Sequence, residues 1–220
     1  MARYISHGTC SLCGKRAAKA GMSRHLKTCA PEHEHADGET YRLFHLRVED
    51  FYDATYWLNL EIKADACLAD LDDFLRKIWV ECCGHLSAFR IGGLSFSCNP
   101  TDFWEKEYGM DVPLSKVLNP AQAKFTYEYD FGSTTRLALR VVGERDGNIG
   151  RAPLRLLARN EPPVWPCAVC ERPATRICTY CMHADNPFFC DEHAAQHDCG
   201  EEALLPVVNS PRMGVCGYTG

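Results

Sequence analysis

The 220-residue chain has no run of about 18 apolar residues, the length a helix needs to cross a bilayer. Its opening, MARYISHGTCSLCG, lacks the apolar stretch of a secretory leader. These absences lead to the expectation of a cytoplasmic protein that makes no membrane contact. Phosphate-cradling glycine loops are missing too, since Gly143 and Gly147 stand in a turn-like stretch. Asp130-Phe131-Gly132 spells a kinase triplet, but the Gly-rich loop, strand lysine and HRD loop that go with it are absent. No serine, cysteine or histidine stands in an order that marks an activated nucleophile. Acid is missing from one place only: residues 1–30 hold six Lys/Arg and no Asp or Glu, in a chain of net charge −5. Lys15, Arg16, Lys19, Arg24 and Lys27 are therefore candidate phosphate contacts, whereas the acidic remainder argues against broad binding to nucleic acid.

Cysteine is what the chain has in excess, fourteen in all. Where thiols stay reduced, regularly paired cysteines are metal ligands rather than disulfides. Between Cys167 and Cys199 eight ligand-type residues form four pairs: Cys167/Cys170, Cys178/Cys181, Cys190/His193 and His197/Cys199. Two residues between cysteines place both thiolates on one turn, and four sulfur or imidazole donors close a tetrahedral zinc site. Two pairings satisfy the pattern. The interleaved one joins the first pair with the third and the second with the fourth, and the sequential one joins neighbours. The order of pairs resembles the logic of cross-braced AN1 and B-box fingers, although the spacings differ from theirs. Such a module has little apolar core, so metal supplies most of its folding free energy. Phe188 and Phe189 are expected to form what core there is, and Leu204–Val208 to dock on the central domain or complete the zinc module.

Near the N-terminus, Cys10, Cys13, His25 and Cys29 have the spacing of a knuckle facing two helical ligands four residues apart, the logic of a ββα finger. Met22 occupies an expected core position. The expected core aromatic is absent, and Ala17 lies near its place. One finger reads about three base pairs, too few to select a site alone, so the basic face is read either as a nucleic-acid contact or as the solvated face of a structural or protein-binding finger. PEHEHADGE, residues 31–39, reads as an acidic linker in which His33 and His35 are solvated.

Between the cysteine-rich ends, Phe44, Leu46 and Val48, then Tyr56, Leu58, Leu60 and Ile62, alternate with polar residues as half-buried strands do. Leu68, Leu71, Phe74, Leu75, Ile78 and Trp79 recur at helical spacing, which predicts a helix over about 66–82 with Asp65 as N-cap. Gly92-Gly93 marks a hairpin. A short helix is expected near Leu114–Leu118, and two further alternating strands flank Gly132-Ser133. One main helix covering a mixed sheet is an α+β architecture, β-grasp-like in outline.

Two stretches, HLSAFRIGG (85–93) and KFTYEYDFGSTTRLALRVV (124–142), resemble the plasmid pRiA4b ORF-3-like family, also described as the TnpR-like passenger of an IS1096-type element. The resemblance spans about residues 40–146 and implies an α+β domain often joined to other modules. After YDFG the family has an acidic residue or glycine, a Trp and a His, whereas this chain has Ser133, Thr134, Thr135 and Arg136. No serine within an arginine cluster marks recombinase chemistry.

The resulting expectation is a chain of four parts: a C2HC finger (1–30), the acidic linker (31–39), an α+β domain (40–160) and a two-zinc module with its tail (161–220). Three structural zinc ions are expected, and a non-enzymatic interaction or adaptor role with a protein partner. A nucleic-acid regulator acting through residues 1–30 is the alternative. For an enzyme, Tyr127, Tyr129, Asp130 and His85 would be the candidates. Cys67, Cys82, Cys83 and Cys98 lack ligand spacing, and Cys216 and His183 are substitute ligands at most, with the non-ligand reading preferred.

Overall fold

The structure, a computed structural model, describes residues 5–101, 106–119, 124–182 and 186–220. Arg3 and His183 lie outside the described residues. The chain forms two compact units: Met1–Arg76 with Leu86–Glu161, and Lys77–His85 with Pro162–Gly220.

The first unit opens with a small hairpin, β1 (His7–Cys10) and β2 (Arg16–Ala18), followed by α1 (Lys19–Glu32). β3 (Tyr41–Asp50) and β4 (Trp57–Lys63) form the next antiparallel pair. The helix α2 (Leu68–Leu75) continues through a π turn at Arg76–Val80. Then come β5 (Ser87–Ile91), β6 (Leu94–Ser97), β7 (Glu107–Gly109), α3 (Leu114–Val117), β8 (Lys124–Tyr129), β9 (Thr135–Gly147) and β10 (Leu154–Asn160). All ten strands join one sheet in the order β2-β1-β10-β4-β3-β9-β8-β5-β6-β7, antiparallel except for β6 with β7. The architecture is α+β with a large mixed sheet, as the patterning indicates.

Local chemistry explains most of the elements. Ile91 pairs directly with Leu94, so Gly92-Gly93 is a two-residue turn. Both glycines have positive φ, 57° and 83°, as a type I′ hairpin requires. The helix begins two residues later than its periodicity suggests. Cys67, not Asp65, is the N-cap, and Asp70 reaches back to accept the Cys67 N–H at 2.8 Å. Residues 64–66 are held elsewhere, because Ala64 and Ala66 carbonyls accept the Ser115 and Leu114 N–H groups. The helix docks on β5 and β8 through Asp72, whose Oδ1 accepts both the Ser87 and Tyr127 hydroxyls at 2.7 Å.

Two sequence expectations change at the finger. Strand β4 is buried along its whole length, not on one face. Its second face carries Trp57, Asn59, Glu61 and Lys63, and the finger covers it: Trp57 packs with Met22 and Leu26 of α1, and Ser23 Oγ donates to Asn59 Oδ1 at 3.4 Å. Trp57 also supplies the aromatic that the finger sequence lacks, since it shares one core with Cys10, Cys29, Ala30 and Leu157. The acidic stretch after α1 is likewise tied down rather than loose. Glu34 pairs with Arg145 and accepts the Asn148 N–H, while Arg155 donates to the Ala30 and His33 carbonyls. Both arginines also hold the buried Glu61 carboxylate.

The second unit contains β11 (Arg176–Cys178), β12 (Phe188–Phe189), α4 (Asp191–Ala194) and β13 (Leu204–Pro206). β11 is the centre of the three-stranded sheet β12-β11-β13. Of the two placements open to Leu204–Val208, β13 takes the second and completes the sheet of the cysteine-rich module. One small core cluster comprises Cys178, Phe189, Ala194 and Ala203, and Phe188 stacks on Trp165 at 4.8 Å.

Candidate metal centres

A tetrahedral zinc ion with bonds of about 2.3 Å to sulfur and 2.0–2.1 Å to nitrogen places its ligand atoms about 3.8 Å apart for S···S and about 3.5 Å for S···N. Bonded disulfide sulfurs lie about 2 Å apart. All fourteen cysteines are free thiols. Among the described residues, four groups of three cysteines and one histidine have their ligand atoms within 4.8 Å of one another.

The first group is the finger's. Cys10 ends β1 and Cys13 follows in the knuckle, while His25 and Cys29 come from one face of α1. Cys10 Sγ and Cys29 Sγ are 3.9 Å apart, and Cys13 Sγ and His25 Nε2 are 3.2 Å apart. Gly14, at φ 75°, turns the knuckle and donates its N–H to the Cys10 carbonyl at 2.9 Å. Burial, followed by the neighbouring thiols, pushes Cys29 up to about 12. A thiol set of this kind ionises together only when a cation offsets the charge.

The other predicted ligands form two groups in the interleaved arrangement. Cys167 and Cys170 meet Cys190 and His193, and Cys178 and Cys181 meet His197 and Cys199. In the first of these, Cys170 Sγ is 3.8 Å from Cys190 Sγ, and His193 Nδ1 is 3.5 Å from Cys167 Sγ and 3.3 Å from Cys190 Sγ. In the second, Cys181 Sγ is 3.5 Å from His197 Nε2 and 3.7 Å from Cys199 Sγ. Local structure explains the crossing. Cys190 is the N-cap of α4, so the helix carries His193 one turn on, beside the first knuckle. Pairing of β11 with β12 and β13 brings the second knuckle to the later pair. Around Cys167 burial opposes ionisation, but the N–H groups of Cys190, Val169 and Cys170 outweigh it and hold the thiol down at about 6. Arg172 Nε donates to Cys170 Sγ at 3.1 Å and is itself braced by Glu192 at 2.6 Å. Such surroundings orient thiolate ligands before an ion arrives.

The fourth group, Cys82, Cys83, His85 and Cys216, is not read as a group from the sequence, where Cys216 alone of the four is a substitute ligand at most. Cys82 and Cys83 are adjacent, and Cys216 is more than 130 residues away, so spacing gave no signal. A Cys-Cys-x-His cluster with a late unpaired cysteine was the only available hint.

A family model described as plasmid pRiA4b ORF-3-like protein matches residues 42–164, more than half of the chain. The chain belongs to the plasmid pRiA4b ORF-3-like family. The family region runs from β3 through β10, and all twelve ligands read from the sequence lie outside it. A similar solved structure is the crystal structure of the protein of unknown function MM3350 from Methanosarcina mazei Go1. It has 15% identity and a TM-score of 0.47, with 54% of this chain and 69% of that one covered. No curated protein matches.

Within the pRiA4b ORF-3-like region, the side chains nominated for catalysis are occupied structurally. Tyr127 is buried and bonded to Asp72, and burial together with that carboxylate pushes its hydroxyl well above the ordinary value. Asp130, at φ 65°, accepts the Gly132 and Ser133 N–H groups across the β8–β9 turn. Tyr129 lies under the Arg76 guanidinium at 4.9 Å, and His85 stands among the thiols of the fourth group. Of the candidate phosphate contacts, Arg16 is engaged by Glu161 in a two-pronged pair at 2.6 and 2.8 Å, and Lys19 by Glu49 at 3.4 Å. Lys15, Arg24 and Lys27 are exposed. No helix among the described residues is long and apolar enough to cross a membrane.

Proposed function

We propose that this chain is a non-enzymatic, zinc-binding interaction protein of the cytoplasm, in which a pRiA4b ORF-3-like domain carries metal-dependent recognition elements at both ends. The observation that carries the reading is ligand count. Each group predicted from sequence offers four protein donors, three thiolates and one imidazole, which suit zinc and leave no coordination position for a catalytic water. Free thiols throughout fit a reducing compartment. Val169 and Tyr180, at the tips of the two C-terminal knuckles, are 62% and 70% exposed. Apolar side chains on the tips of rigid turns suit a protein partner.

X-ray absorption at the zinc edge of the purified full-length protein tests this reading. Scattering from sulfur and imidazole alone is expected, and a zinc–oxygen shell would overturn it. Cross-linking of the full-length protein should place partner contacts at Val169 and Tyr180, and they should be lost in the Val169→Ser, Tyr180→Ser variant while zinc content is unchanged.

The exposed Lys15, Arg24 and Lys27 favour a second reading, contact with nucleic acid through the finger. Fluorescence anisotropy with labelled DNA and RNA across a salt series distinguishes the two. Binding that weakens steeply with salt and is lost on replacing these three residues by Gln supports nucleic-acid recognition. Flat titrations leave the finger as a structural or protein-binding element.

A further inference from the structure

Four observations converge on residues that neither the family region nor the spaced motifs explain. The first is geometry. Cys83 Sγ lies 3.5 Å from Cys82 Sγ and 3.7 Å from Cys216 Sγ, and His85 Nε2 lies 3.0 Å from Cys83 Sγ and 3.2 Å from Cys216 Sγ. These separations exceed the roughly 2 Å of a disulfide and approach the edges of a zinc tetrahedron. The second is composition, because three thiols and one imidazole repeat the donor set of each other group.

The third is backbone. Gly14 and Glu171, the residues after Cys13 and Cys170, are left-handed at φ 75° and 59°, which is how those two knuckles turn. Gly84, after Cys83, is left-handed at 77°, so Cys82-Cys83-Gly84 ends as a knuckle does. Cys216 is itself left-handed at 52°, one of three such non-glycine residues described, and sits between Gly214 and Gly217 at 80° and 69°. Strain at a non-glycine residue persists where surrounding bonds hold it. The fourth is support for the ligands. Arg212, fully buried, donates through Nη2 to Cys82 Sγ at 3.4 Å, as Arg172 does to Cys170. Ser210 Oγ donates to the Trp79 carbonyl at 2.5 Å and accepts the Arg212 N–H at 2.9 Å, which sets the tail beside residues 79–82.

We propose that Cys82, Cys83, His85 and Cys216 bind a fourth zinc ion, which fastens the segment Lys77–His85 to the C-terminal tail within the second unit. Cys83 and Cys216 are exposed, whereas each other group holds at least one buried cysteine. This ion is therefore the first to be surrendered to a chelator.

The test is metal content of the reduced, full-length protein by mass spectrometry and by thiolate-to-cobalt charge-transfer absorption after cobalt exchange. Four ions per chain are expected, falling to three in both Cys216→Ser and His85→Gln with about a quarter of the charge-transfer intensity lost. Three ions in the wild type, unchanged in both variants, would overturn the site, and so would four ions retained in both. If Cys216→Ser does not fold, His85→Gln decides alone, with three ions for the site and no change from wild type against it.

Discussion

Trp57 ties the finger to the main sheet. Its ring closes the finger against Met22 and Leu26, its indole N–H donates to Ser6 Oγ at 2.9 Å, and its backbone belongs to the main sheet. Replacing it by Ala should cost about 3–5 kcal/mol in urea unfolding and speed zinc transfer from the finger to a colorimetric chelator. Gly8 meets the same ring: an added Cβ would lie 2.5 Å from it and 2.3 Å from the Arg159 carbonyl. Met22 was legible from its spacing to His25. Trp57 was not, because it lies outside the finger and reads locally as the polar-side member of an alternating strand. His45 gives a pH test on the same surface. Its Nε2 bonds Asn59 at 2.9 Å, and burial, opposed by that bond, pushes it below its ordinary value near 6.5. The folded protein thus binds this proton less readily than the unfolded chain. The stability it confers is complete above about 6.5 and declines as pH falls through that value toward the lowered one. Urea midpoints of His45→Gln should fall less between pH 7 and 5 than those of the wild type at equal zinc.

At the scale of elements, α2 is held by a buried polar junction. Asp72 accepts from Ser87, Tyr127 and Arg76, the last at 2.7 Å. Tyr127→Phe removes one donor and should cost about 1 kcal/mol. Asp72→Ala strands three donors, one of them charged, and should cost about 3–5 kcal/mol. Equilibrium urea curves check both, and a reversed order would show that the junction is not what seats the helix. The amphipathic stripe made α2 legible, but its start was not, since residues 64–66 are held by backbone bonds to a segment some fifty positions on. β10 was missed for a related reason. Leu157 breaks the alternation of Leu154-Arg155-Leu156 and Ala158-Arg159, at the register shift between Leu156 and Ala158, and Arg155 is needed for Glu61.

For the whole molecule, metal held at the Cys/His groups would matter differently to the two units. The first has a large apolar core, whereas the large apolar side chains buried among the described residues of 162–220 are Ile177, Phe189 and Tyr218. Structural zinc contributes about 10–16 kcal/mol in small finger peptides, more than such a core supplies. A strong chelator should therefore remove hydrogen-exchange protection from residues 162–220 while β3, β8 and β9 stay protected. Simultaneous loss in both units would contradict this. The family region was legible because its strands alternate and its motifs are local. The finger's union with the sheet was not, because β1 and β2 are four and three residues long and the partner of β1 lies 150 positions away.

That union bears on solubility. The ten-stranded sheet ends at β2 on one side and β7 on the other, each three residues long, and such stubs offer little for another chain to pair with. The seven-residue β10 would be the next edge if the finger lost its ion and let go. Zinc starvation would then expose a strand template, and the expected outcome is self-association detectable by light scattering before the sheet itself unfolds. An ion held by the finger would in this sense guard against aggregation, whatever the finger binds.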